Sequence, residues 1–189
     1  MSSPRVDRVF ERRLAVLIGS GERGVLQHGL KGVEKESLRV TPGGRIATTR
    51  HPEGLGSALT NEHITTDYSE ALVELITPAF RESWELLAYL CDIHQYTYRH
   101  LGDELLWATS MPCAVRGDDS VPIAEYGSSN LGRLKTVYRV GLALRYGRVM
   151  QAISGVHFNY SFPQHFWPVL HEAWQADTRG QDFVDEAYF

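Results

Sequence analysis

At 189 residues the chain is long enough to bury a core, and it is read as a single domain, 1–189. Its formal net charge of −4 argues against nucleic-acid binding driven by phosphate neutralisation, although a local patch stays open. No apolar run approaches a membrane span, and Cys91 and Cys113 have no metal or redox spacing, so the chain reads as a cytoplasmic protein with free thiols.

Residues 6–18 place Val6, Val9, Phe10, Leu14 and Leu17 at helical spacing. The glycines of GSGERG stop that helix. Within it LAVLI is too short for a signal-peptide core. GSGERG also matches G-x-G-x-x-G, but the preceding helical period is wrong for a dinucleotide-binding turn, which needs a strand there. Residues 30–40 predict a strand, with PGG at 42–44 turning into a return strand, RIATT. Short extended pieces follow at 63–67 and 71–76. From Phe80, the residues Trp84, Leu87, Cys91, His94, Tyr98 and Leu101 step as one apolar stripe, so a long helix is expected with Cys91 in the core. Residues 108–130 predict a loop. Residues 131–147 predict a helix with Asn130 as its N-cap. VMQAISGVHFNYSFP predicts a long strand, HFWPVLHEAW a helix, and GQDFVDEAYF the start of another. The order implies an α+β fold with a mainly antiparallel sheet and flanking helices.

Four stretches carry residues that chemistry could use. In GVEKESLRV, Glu34 and Glu36 point to the same strand face, about 7 Å apart, with Lys35 on the other. A wet hairpin face would tolerate that pair, whereas a buried one would need a cation. Glu74 sits in ALVELITP, which is apolar on both sides, so its carboxylate needs a positive partner, an arginine or a metal. Asp67 follows two threonines at a bend and reads equally as a turn residue. In SGVHFNYSF, His157 and Asn159 share one face, opposite Val156, Phe158 and Tyr160. That pattern suits either a half-wet sheet or a metal ligand beside an amide. Lastly, YGSSNLGRLKTVYRV leads a small-residue loop into a helix bearing Arg133, Lys135 and Arg139, an anion-binding arrangement or an ordinarily capped basic helix. Sixteen of the nineteen basic residues are Arg, the side chain best shaped to clamp carboxylates and phosphates. Several carboxylates on extended segments suit Mg²⁺ or Mn²⁺ shared with nucleotide phosphates.

GVEKESLRV, HPEGLGSALTNEHITTDYSEALVELITP, WATSMPC, YGSSNLGRLKTVYRVGLALRYG and SGVHFNYSFP, in that order, closely resemble the proteobacterial-type glutamate–cysteine ligases, from about Gly29 to Pro168. The resemblance implies a glutamine-synthetase-like carboxylate–amine ligase fold. It also implies ATP-dependent joining of L-glutamate and L-cysteine into γ-glutamylcysteine, the first step of glutathione synthesis. By motif match, Glu34, Glu36, Asp67, Glu74 and His157 would hold Mg²⁺, which Mn²⁺ can replace. Asn159 would be a polar position beside the histidine. Tyr138 and Arg139 would face substrate, Tyr138 toward cysteine. No nucleophile is implied. Members of the family are more than twice this length, and their later portion supplies a further metal-binding carboxylate and substrate-binding arginines. The chain therefore reads as the N-terminal part of a catalytic domain. Competing expectations are a remnant that binds metal or amino acid without turnover, and a ligase for another amine.

Overall fold

The computed structural model describes residues 10–11, 14–15, 17–19, 23–112 and 114–175. Their contacts group into two compact units, Lys31–Asn159 and a smaller one of Met1–Leu30 with Tyr160–Phe189. Cys113 and the helix expected at 180–189 lie outside the described residues.

The larger unit is built on a five-stranded sheet: β1 (Leu30–Val40), β2 (Ile64–Thr66), β3 (Leu72–Ile76), β4 (Leu105–Leu106) and β5 (Val156–Ser161). The strands follow the order β2-β3-β1-β4, and β5 also pairs with β1. The β1–β3, β1–β4 and β2–β3 pairs are antiparallel, which gives the expected α+β architecture. Val33 and Arg39, at odd positions, bond toward β3. Glu36 and Leu38, at even positions, bond toward Gly155 and Trp107 on the opposite edge. One long strand thus carries β3 along one edge, with β5 and then β4 along the other.

Two helices accompany this sheet, α1 (Ser83–Tyr98) and α2 (Asn130–Tyr146). Leu55, Ile64, Val73 and Leu75 pack with Ile93 of α1 on one face. On the other, Leu38, Val40 and Leu72 pack with Tyr68, Val121 and Ala152, and with Leu142 and Ala143 of α2. Leu38 and Val40 have the same parity as Glu34 and Glu36. That face of β1 is therefore apolar at its C-terminal end and acidic at its N-terminal end.

Several expectations are corrected. The return strand of the β1 hairpin is reduced to an isolated bridge between Val40 and Ile46, because β1 is already paired by β3 and β4. The turn itself forms, with Gly44 at φ 74°, where a side chain would be strained. Helix α1 starts after Phe80, whose N–H and C=O are both bonded to Lys31 in a bridge. Its buried side is Leu86, Ile93 and Thr97, not the expected stripe. Trp84 is 68% and Leu87 57% exposed, and Cys91 is exposed as well, so the cysteine is not core. The N-cap of α2 is Ser129, one residue before the expected Asn130, and its side chain accepts from the Gly132 N–H. Residues 149–152 form a 3₁₀ turn held by Asp118, which accepts from the Val149 N–H, so the last strand is shorter than expected.

In the smaller unit, every described position from 10 to 19 is helical, in line with the helix expected there. A 3₁₀ turn spans Arg23–His28, and α3 spans Phe166–Gln175. Tyr160, Phe162, Phe166 and Trp167 form a chain of ring contacts, and Tyr160 Oη donates to the Leu26 carbonyl. No helix among the described residues is long and apolar enough to cross a membrane.

Candidate metal centre

The acidic end of the β1 face gathers side chains from four segments. Register places Glu36 directly opposite Glu74, and Thr65 of β2 on the far side of Glu74. From β5, His157 Nδ1 lies 3.2 Å from Glu34 Oε2, and Asn159 Nδ2 donates to Glu34 Oε1 at 2.9 Å. The Gly155 N–H donates to Glu36 Oε2 at 2.6 Å. One ligand atom each from Glu34, Glu74 and His157 lie within 4.8 Å of one another. An ion with bonds of about 2.1 Å holds its ligand atoms at most about 4.2 Å apart, so small side-chain rotations would close this trio around one cation. Glu36 and Asp67 form a second set, close enough for Asp67 to raise the Glu36 carboxyl. No arginine meets Glu74: among the described residues it forms no ion pair. Two carboxylates and an imidazole fit Mn²⁺ well, and the oxygen-rich remainder fits Mg²⁺.

The electrostatics carry the mark of an acidic cluster short of positive charge. Burial, then Asp67, Glu36 and Glu34, push the Glu74 carboxyl up to about 7. Burial raises Glu36, and Asp67 adds to it against the opposing Gly155 N–H bond. The hydrogen bond to Glu34 raises His157. All three groups hold protons more tightly folded than unfolded, so the cation-free fold loses stability as pH rises. For Glu74 the window runs from its ordinary carboxylate range to about 7. Its share is about 1–2 kcal/mol once screening by water is allowed for. In chelator, the melting temperature of the larger unit is expected to fall between pH 5 and pH 7.5. A flat or rising profile, measured by circular dichroism, would contradict this assignment.

Asp67 joins the cluster from the turn between β2 and β3, where its N–H bonds to the Leu72 carbonyl. Arg139 of α2 grips it: Nε donates to the Asp67 carbonyl at 2.5 Å, and Nη2 lies 3.4 Å from Oδ1. Tyr138, the neighbour of Arg139 on α2, is 63% exposed. Glu34, Glu36, Asp67, Glu74, His157 and Asn159 are thus brought to one place, with Arg139 behind them. Sequence reasoning missed the Gly155 amide and Tyr126. Tyr126 lay in a stretch read as loop, and its one available signal was an aromatic residue just ahead of a basic helix.

The sequence model of the glutamate–cysteine ligase family matches residues 14–189. The chain belongs to the glutamate–cysteine ligase family. Among related enzymes, the glutamate–cysteine ligase of Pseudomonas entomophila is 52% identical over 180 residues, 95% of this chain and 34% of that protein. That of Aliivibrio fischeri is 53% identical over 159 residues, 84% of this chain and 30% of that one. The crystal structure of the Francisella tularensis glutamate–cysteine ligase in complex with AMP is 43% identical, with a TM-score of 0.75 over 78% of this chain and 30% of that chain. A bifunctional glutathione synthetase from Pasteurella multocida is 29% identical, with a TM-score of 0.73 over 87% of this chain and 21% of that chain. The fold is thus that of the glutamate–cysteine ligases, and the chain spans about a third of the length of the relatives it matches.

Proposed function

We propose that this chain carries the cation-binding side of a glutamate–cysteine ligase active site and works in the cytoplasm. Glu34, Glu36, Asp67, Glu74 and His157 would hold Mg²⁺ shared with the phosphates of ATP. The bound cation would offset repulsion between those phosphates and the substrate carboxylate. In the reaction, a γ-carboxylate oxygen of L-glutamate bonds the γ-phosphorus and ADP leaves. The amine of L-cysteine then attacks the acyl carbon and phosphate leaves. Asn159 and the Gly155 N–H orient Glu34 and Glu36 through their hydrogen bonds, and Arg139 orients Asp67. Tyr138 would contact the cysteine substrate from α2.

The observation that carries this reading is the convergence of Glu34, Glu74 and His157 from three different strands, with no arginine paired to any of the three among the described residues. A second reading is a cation-binding remnant without turnover. A chimera separates the two: this chain replaces the matched third of the Pseudomonas entomophila enzyme. ATP, Mg²⁺, L-glutamate and L-cysteine should then give γ-glutamylcysteine and ADP in equal amounts. A chimera that folds but forms no product supports the remnant, and preference for another amine supports a different ligase.

A further inference from the structure

The turn bearing Asp67 has a second support besides Arg139. Tyr126, only 5% exposed, points its hydroxyl at two successive carbonyls of that turn, Thr66 O at 2.5 Å and Asp67 O at 2.9 Å. Its ring is covered by two cations one helical turn apart on α2, Lys135 Nζ at 5.0 Å and Arg139 Cζ at 4.7 Å from the centroid. Its backbone is held from the same helix. Gly132 lies in the first turn of α2, and a Cβ there would collide with the Tyr126 carbonyl, so only glycine lets the helix press this close. Thr136 Oγ1 also donates to the Ala124 carbonyl at 3.3 Å.

We infer that Tyr126 is a positioning residue for the cation site: with Arg139 it fixes the backbone from which Asp67 projects, and so sets where the Asp67 carboxyl meets Glu36. The inference rests on the cation-binding reading above. Tyr126 is no ligand itself, since its hydroxyl is taken by the two backbone carbonyls. Its effect reaches the cation through Asp67, as outer partners of metal ligands commonly act.

The test titrates Mn²⁺ into the 189-residue chain at pH 7.5, read by calorimetry and by the paramagnetic signal of free Mn²⁺. Tyr126→Phe should weaken binding about 10- to 100-fold. Thr97→Val is the control. It removes a comparably buried hydroxyl bond, Thr97 Oγ1 to the Ile93 carbonyl at 2.7 Å on α1, and should leave the affinity within about twofold. Gly132→Ala keeps the Tyr126 hydroxyl but displaces its backbone, and should weaken Mn²⁺ binding in the same direction if Tyr126→Phe does not fold. Unchanged affinity in Tyr126→Phe, or an equal loss in Thr97→Val, overturns the inference alone. Absence of Mn²⁺ binding by the unsubstituted chain overturns the cation-binding reading and this inference with it.

Discussion

Replacing Glu74 by Gln in the chimera is expected to lower turnover by about 10³-fold or more while raising the melting temperature of the cation-free protein at pH 7.5. The two effects have one cause. Glu74 stands at the middle of the cluster, opposite Glu36 and within reach of the fields of Glu34 and Asp67. A neutral amide of the same shape removes an anionic ligand at the point where phosphoryl transfer needs charge neutralised. Losing about 4 kcal/mol of transition-state stabilisation corresponds to that fold-change. The same substitution removes a carboxyl that resists ionisation in the folded state, so the cation-free fold gains. Opposite signs for activity and stability distinguish loss of a ligand from misfolding. Steady-state ADP release and thermal melts measure both. Turnover within tenfold of the parent chimera, or a lowered melting temperature, would sink the assignment.

The 189-residue chain alone should release ADP at less than about a thousandth of the chimera's rate. In-line phosphoryl transfer depends on holding nucleotide and acceptor in register, and small misplacements cost orders of magnitude. The chain spans 34% of its Pseudomonas entomophila relative, so about two thirds of that protein has no counterpart in it. Its surface is consistent with a need for further packing. The outer side of α2 exposes Leu134, Val137 and Leu144, the last at 86%, and α1 exposes Trp84 and Leu87. Apolar faces of this kind promote association. Light scattering should therefore show the isolated chain self-associating as its concentration rises, beyond what the chimera shows. Turnover at the chimera's rate would show instead that these residues suffice for catalysis.

Strand parity was the part of the site most legible in the sequence. Glu34 with Glu36, and His157 with Asn159, had to share faces once β1 and β5 were assigned, and the structure joins the two faces. Glu74 in an apolar run posed a problem with two solutions, and spacing alone gave no way to choose between arginine and cation. Periodicity misled at α1, because that helix is apolar around a wide arc. The stripe through Trp84, Leu87 and Cys91 fits the helical period as well as the buried set Leu86, Ile93 and Thr97 does, and only tertiary packing tells them apart. Long-range polar contacts left no periodic trace. The fully buried Arg39, gripped by Glu104 at 2.5 Å and by Thr49, reads in sequence as an ordinary strand residue with Leu38 and Val40 beside it. The bond from Tyr126 to Asp67 was equally invisible.

The central claim is that the acidic end of β1 and β3 is a cation site, and Mn²⁺ calorimetry on the 189-residue chain tests it most directly. At pH 7, in two buffers of different ionisation enthalpy, binding should be saturable. It should release about half a proton from Glu74 alone, since that carboxyl titrates near 7 and must be ionised to bind. Affinity should drop at pH 5.5, and Glu74→Gln should remove Glu74's share of the proton release along with most of the binding. No saturable binding at millimolar Mn²⁺, or equal binding without proton release in Glu74→Gln, would contradict the account.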